Sequence, residues 1–257
     1  MVVFLFGLLV YLYFFWVFSE LILFAIHWQP YAGSYAPLIS SVFPFSCDAS
    51  GAGSLDLHSV LINLFVFEPF FLQHTIMAGP WFKNNAAYKL LPFYLKQSLF
   101  VLVASISMHF GLTHWNSSSP IFFQVKSTAV AGVLDLVSVI GFLIVLLSSF
   151  MIDHFDLFGL RQTWMRDQYT RPLFVEKAFY SIVRHPLMLG FIMGFSASSV
   201  FSVNRVILAA VMLTYIQIGL SFEEADLLQS VPEYREYAAR VPRLCPLTRP
   251  EPKRKLA

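Results

Sequence analysis

Charge is scarce in this chain: Asp, Glu, Lys and Arg make up 12% of its 257 residues, about half the share of an ordinary soluble domain. A water-soluble globular fold is excluded on that ground alone. Cysteine is nearly absent, with only Cys47 and Cys245. The topology below puts them on opposite sides of a membrane, so neither a disulfide framework nor a cysteine metal site is expected. Seven scattered histidines with no close pair give no ligand spacing, and no metal is expected. With a net charge of +2, no nucleic-acid partner is expected either. The first apolar run lacks the basic flank and small-residue cleavage site of a signal peptide and is too long for one, so it should stay as a membrane helix.

What fills the chain instead is apolar: 57% of residues are hydrophobic and 17% aromatic, with a mean hydropathy of +0.66. Several runs reach the roughly 20 residues a helix needs to cross the hydrocarbon core. The expected fold is all-α, a polytopic membrane bundle of about six helices forming one domain over 1–257: about 2–28, 55–78, 97–113, 128–152, 187–202 and 205–222. The last two make a hairpin turning near 203, and a short amphipathic helix follows between Pro232 and Pro242. Its face of Tyr234, Tyr237, Ala238 and Val241 suits either a helix lying in the membrane interface or a lid over a pocket.

Orientation comes from the basic residues. Placing both termini in the cytoplasm leaves only Lys126 and Arg205 outside, and the other Lys and Arg inside, including Arg161, Arg166, Arg171, Lys177 and Arg184 of one long loop. Gly190, Gly194 and Ser198, four apart, line one face of the fifth helix and allow close helix packing. Glu20, Glu68 and Asp135 lie within apolar runs, where pairing between helices or protonation is expected.

The hairpin should bring two distant polar stretches to one membrane face: Arg184-His185-Pro186-Leu187 and Glu223-Glu224. Pro186 suits the first turn of a helix and holds His185 extended. The unpaired N–H groups that follow, with Arg184, could take a carboxylate or phosphate; Arg184 could equally be a topology anchor. Two adjacent carboxylates at a cytoplasmic helix end run against the positive-inside trend. They suit either a zwitterionic ligand or a salt bridge to Arg184.

These residues, as Tyr180-x-x-Val183-Arg184-His185-Pro186-x-x-x-Gly190, Glu223-Glu224-x-x-Leu227 and Tyr234-x-x-Tyr237-x-x-x-Val241-Pro242, resemble the C-terminal half of the isoprenylcysteine carboxyl methyltransferase and phospholipid methyltransferase superfamily. The resemblance implies S-adenosylmethionine as cofactor and a cofactor-binding half at about 150–246, with Arg184, His185, Pro186, Leu187, Gly190, Glu223 and Glu224 around it and Tyr180, Tyr237 and Arg240 nearby. Where that superfamily has a tyrosine two residues after the proline, this chain has Met188. A second set, Ser148-Ser149-Phe150-x-Ile152-Asp153-His154-Phe155-Asp156-Leu157-Phe158-Gly159-Leu160-Arg161-Gln162 with Gln73-His74-x-x-Met77-Ala78, resembles the nurim family and, within it, the bacterial methanethiol S-methyltransferases. That likeness implies methyl transfer to a small thiol, giving dimethyl sulfide, in a bacterial inner membrane. An isoprenyl cysteine or phospholipid acceptor, or a non-catalytic nurim-like membrane protein, stays open, as does the oligomeric state.

The chemistry asks for a base, because the thiolate rather than the thiol attacks. His154 is the first candidate, with Asp153 or Asp156 orienting it and Arg161 and Gln162 at cofactor or substrate; His74 is the other candidate base. If the fourth helix continues, Ser149, Asp153 and Asp156 share a face and His154 points away from it.

Overall fold

The computed structural model describes residues 1–48, 56–170, 172 and 174–248. Arg171, Arg249, Lys253, Arg254 and Lys255 of the expected basic flank lie outside the described residues. In chain order come α1 (Val2–Ala25), α2 (Ala36–Val42), α3 (Leu57–Phe65), α4 (Glu68–Ala78), α5 (Pro80–Lys83), α6 (Ala86–Leu90) and α7 (Phe93–His114). After strand β1 (Ile121–Gln124) follow α8 (Thr128–Met151), α9 (His154–Leu157), α10 (Leu160–Met165), α11 (Pro186–Ser196), strand β2 (Val200–Ser202), α12 (Val203–Ser230) and α13 (Tyr234–Arg240).

Five stretches are long and apolar enough to cross a membrane: α1, α3 with α4, α7, α8 and α12. The chain is a multi-pass membrane protein. The second stretch is bent rather than continuous, because Pro69 has no N–H to give to the preceding turn; α3 closes at Phe65 and α4 opens at Glu68. Glu68 is exposed there and not enclosed between helices.

The fifth expected helix is shorter than the sequence suggests. α11 ends at Ser196 and, at about 1.5 Å per residue, covers only about 16 Å, half a hydrocarbon core. Ser199 explains the stop: its N–H and hydroxyl donate to the Asp135 carboxylate at 2.8 and 2.7 Å, drawing the chain out of helical geometry. The extended chain then pairs as β2 with β1, antiparallel. Ser198 is therefore not helical; its Oγ accepts from Val200 N. Gly190 does provide close packing: a Cβ there would stand 2.5 Å from Gly141 O and 2.9 Å from Val145 N. Gly194 packs beside Phe142, and Ser138 Oγ donates to Gly194 O at 2.7 Å.

These contacts run α8 and α11 antiparallel, so the end of α8 sits beside the start of α11. That side is called here the near face. The ribbon of β1 and β2 marks the far face, where Arg205 pairs with Asp48 at 2.7 Å and donates to Ala25 O at 2.7 Å. Asn204 Nδ2 donates to Cys47 O and Asn116 O at 3.0 and 2.9 Å, and Asn63 Nδ2 donates to Asn204 Oδ1 at 2.9 Å. Arg205 is thus buried, 9% exposed. Burial and Asp48 push the Cys47 thiol up. Between the faces, Phe24, Phe67, Leu112, Trp115, Phe142 and Leu208 form the core. Glu20 pairs with His109 at 2.7 Å, and Asp135 accepts from Tyr31 at 2.8 Å, so both intramembrane acids have partners across helices.

Candidate functional site

The first near-face cluster forms where α12 runs on past its apolar part to Ser230, so that Glu223 and Glu224 are helical and not at a helix end as expected. Glu224 Oε1 accepts from Arg184 Nε at 2.8 Å and Tyr234 Oη at 3.2 Å, and lies 2.7 Å from Arg184 Nη2 and 3.0 Å from His185 Nε2. Its Oε2 lies 3.1 Å from Arg243 Nε. Arg184 spends its remaining donor, Nη1, on the carbonyls of Ala238 and Val241 at 2.9 and 3.0 Å. The N–H groups of Arg184 and His185 go to Pro242 O and Arg243 O at 2.8 and 3.1 Å. Arg184 is therefore a clamp joining α12 to the segment around α13, the salt bridge weighed as the alternative to an anion site, with all three guanidinium nitrogens engaged.

The same clamp settles the amphipathic helix. Tyr234, Tyr237 and Val241 are buried in a small core with Leu227, Val231 and Ala238, so this face is covered by protein rather than lipid headgroups. Tyr237 Oη donates to Tyr180 O at 2.6 Å. Burial and the nearby Glu176 carboxylate push the Tyr237 hydroxyl up to about 12, and burial with Glu224 raises Tyr234 as well, so both act as donors. Burial and then the Glu223 carboxylate raise the Tyr180 hydroxyl. Arg240 faces outward and pairs with Glu176 at 2.7 Å. Pro186 is buried at the first turn of α11, Leu187 is half-buried beside it, and Gly190 faces α8.

Glu223 differs from all of these. Its side chain is 47% exposed, and its closest partner, His185 Nδ1, is 3.8 Å away, beyond hydrogen-bond reach.

The second cluster sits where α8 ends. Asp153 adopts a left-handed conformation, φ 91°, which reverses the chain and turns His154 back against α8. Ser149 Oγ and His154 Nδ1 are then 2.7 Å apart, and Nε2 lies 2.9 Å from Tyr11 Oη. The helix does not continue, so the expectation that His154 points away from Ser149 is overturned. The Asp153 carboxylate turns elsewhere: it caps α9 by accepting from Asp156 N at 3.1 Å and pairs with Arg161 Nη1. Burial holds His154 below the usual histidine range, with Asp153 opposing the shift. Gln162 Nε2 donates to Asp156 O at 3.0 Å, while its Oε1 is buried with no hydrogen-bond partner.

Asp153 and Arg161 open onto a cleft of about 440 Å³ lined also by Met151, Ile152, Thr170, Pro172 and Val175. The adjoining Phe174 packs edge-on against Tyr234 and Tyr237 at 6.0 and 5.3 Å, so one loop touches both clusters. His74 joins neither of them among the described residues; its ring lies against Phe100 and Phe70 at 4.8 and 5.4 Å. Sequence reasoning missed Tyr11. Tyr11 did leave a signal: a phenol inside an apolar helix must find a hydrogen-bond partner.

Fold and site together define a polytopic membrane protein with two polar clusters opening at one face. The chain is 37% identical over 209 residues to methanethiol S-methyltransferase 2 of Bradyrhizobium diazoefficiens, covering 80% of each chain. It is 34% identical over 192 residues to the methanethiol S-methyltransferase of Mycobacterium tuberculosis, covering 73% of this chain and 78% of that one. A nurim homolog of Drosophila pseudoobscura is 24% identical over 171 residues, 63% of this chain and 65% of that one. No family model matches the chain, and no solved structure does. The chain belongs to the methanethiol S-methyltransferase family.

Proposed function

We infer that this protein moves a methyl group from S-adenosylmethionine to the sulfur of methanethiol, giving dimethyl sulfide and S-adenosylhomocysteine, at a site facing the cytoplasm of a bacterial inner membrane. Its kinship with the methanethiol S-methyltransferases carries the reading. The near-face geometry supports it.

The residues present fit such a donor. Glu223 offers an exposed carboxylate with no hydrogen bond, suited to an ammonium or to ribose hydroxyls, and Gln162 Oε1 is a buried acceptor in need of a donor. When bound, S-adenosylmethionine supplies an electrophilic sulfonium methyl. Arg184, Glu224 and Tyr234 hold α12 and the α13 segment in register, which keeps His185 and Glu223 beside each other. The half of the chain at 150–246 would hold the donor. His154, neutral and enclosed by aromatic rings, is placed to accept a thiol proton. Dry surroundings favour joining a thiolate to a cation, because the two charges cancel as they react.

The test is incubation of the purified protein with S-adenosylmethionine and methanethiol, with a phospholipid and an isoprenyl cysteine as parallel acceptors. Dimethyl sulfide and S-adenosylhomocysteine are expected in the thiol arm only. Neither product in that arm would remove the reading.

A further inference from the structure

Both ring nitrogens of His154 are engaged, and their partners fix the tautomer. Ser149 Oγ lies 2.6 Å from Leu146 O, a contact between an acceptor-only carbonyl and a hydroxyl that requires the serine proton between them. Toward His154 Nδ1, 2.7 Å away, Ser149 can then only accept. Nδ1 therefore carries the ring proton and Nε2 the lone pair. Tyr11 Oη, 2.9 Å from Nε2, donates to that lone pair.

Access to the imidazole runs through the phenol. His154 is 2% exposed, with Phe150 stacked on it at 4.1 Å and Phe158, Phe15 and Phe155 at 4.8, 5.6 and 5.6 Å. Tyr11 is only half-buried, and its own ring sits among Phe15, Phe155 and Phe158 at 5.0, 5.9 and 6.4 Å. Phe150 and Phe155 are themselves 51% and 46% exposed on the outside of the bundle. A small apolar thiol arriving from the hydrocarbon meets aromatic surface first and the Tyr11 hydroxyl next.

We propose that Tyr11 is a catalytic residue that takes the proton of the thiol while passing its own to His154 Nε2. This rests on the thiol methyltransferase reading and deepens it. The thiol S–H bond breaks and its proton bonds to Tyr11 Oη; the phenolic O–H bond breaks and its proton bonds to Nε2. A thiolate, a neutral phenol and an imidazolium result. A sulfur lone pair then forms the new S–C bond to the sulfonium methyl, and the electron pair of the broken S–C bond stays on the donor sulfur. After product leaves, the imidazolium proton returns to water through Tyr11. The surrounding aromatic faces favour the cation that forms, as does the Asp153 carboxylate beside it.

Y11F keeps the ring and removes only the hydroxyl. Its kcat/KM for methanethiol is expected to fall by about a hundredfold or more, the scale of general acid–base catalysis, while thermal stabilisation by S-adenosylmethionine stays as in the wild type. Independently of turnover, methanethiol added to the wild type without donor should show ultraviolet thiolate absorbance, and Y11F should not. An active wild type with Y11F within about threefold of it overturns the Tyr11 assignment and leaves the thiol methyltransferase reading standing. A wild type that makes no dimethyl sulfide overturns both. A wild type in which bound methanethiol stays a thiol overturns the assignment whether or not Y11F folds.

Discussion

On the far face, Asp135, Asn63, Asn204 and Arg205 are buried and each is held by hydrogen bonds to backbone or to a neighbouring side chain, and Asp48 pairs with Arg205 without an aligned hydrogen bond between Oδ2 and Nε. On the near face, a group of polar residues leaves several side chains open: Glu223, with no hydrogen bond, Gln162, whose Oε1 is buried without a partner, and Tyr11, half-buried at the end of a hydrogen-bonded line. Both faces hold ionisable groups against an apolar bundle, so charge alone does not separate structure from chemistry. What differs is that the far-face residues lie locked in ion pairs and backbone hydrogen bonds, while Glu223 is exposed and Tyr11 half-buried. Groups that complete each other fix the fold, and groups left open are available to a ligand.

The strongest challenge to this contrast is to break what both faces share. Gly190→Leu would push a side chain into the backbone of α8, and no folded protein is expected in a detergent melting assay. Next, Arg205→Met leaves Asp48 without its cation and should cost roughly 3–5 kcal/mol in chemical unfolding. The surviving fraction should keep its donor KM, since the far face does not enter the reaction. Glu223→Gln tests the open valence directly: donor KM should rise about tenfold, worth about 1.4 kcal/mol, with unchanged melting temperature. A matching loss of stability would place Glu223 with the far-face groups instead. Smallest of all, Arg240→Ala removes an exposed pair with Glu176 and should change stability by no more than about 1 kcal/mol.

The spans were legible because apolar runs of the right length have few other uses, and α1, α7, α8 and α12 fall where those runs lie. The meeting of His185 with Glu224 followed from the hairpin alone. What escaped depends on contacts between distant residues. α11 stops at Ser196 because Asp135, sixty-odd positions earlier, binds Ser199. His154 faces Ser149 because Asp153 takes a positive φ that no periodicity reveals. Arg184 became a clamp because carbonyls at Ala238 and Val241 claim its last donor, and backbone acceptors leave no mark in a sequence. Tyr11 sits in the first helix, and only the folded bundle brings it to a histidine more than a hundred residues away.

The tie between Arg184 and the carbonyls of Ala238 and Val241 bears on how the protein is made. Synthesis proceeds from the amino end, so this guanidinium is laid down long before its last acceptors leave the ribosome. Until then the hydrogen bonds that tie the guanidinium to the carbonyls of Ala238 and Val241 cannot form, so this closure belongs to the last stage of folding.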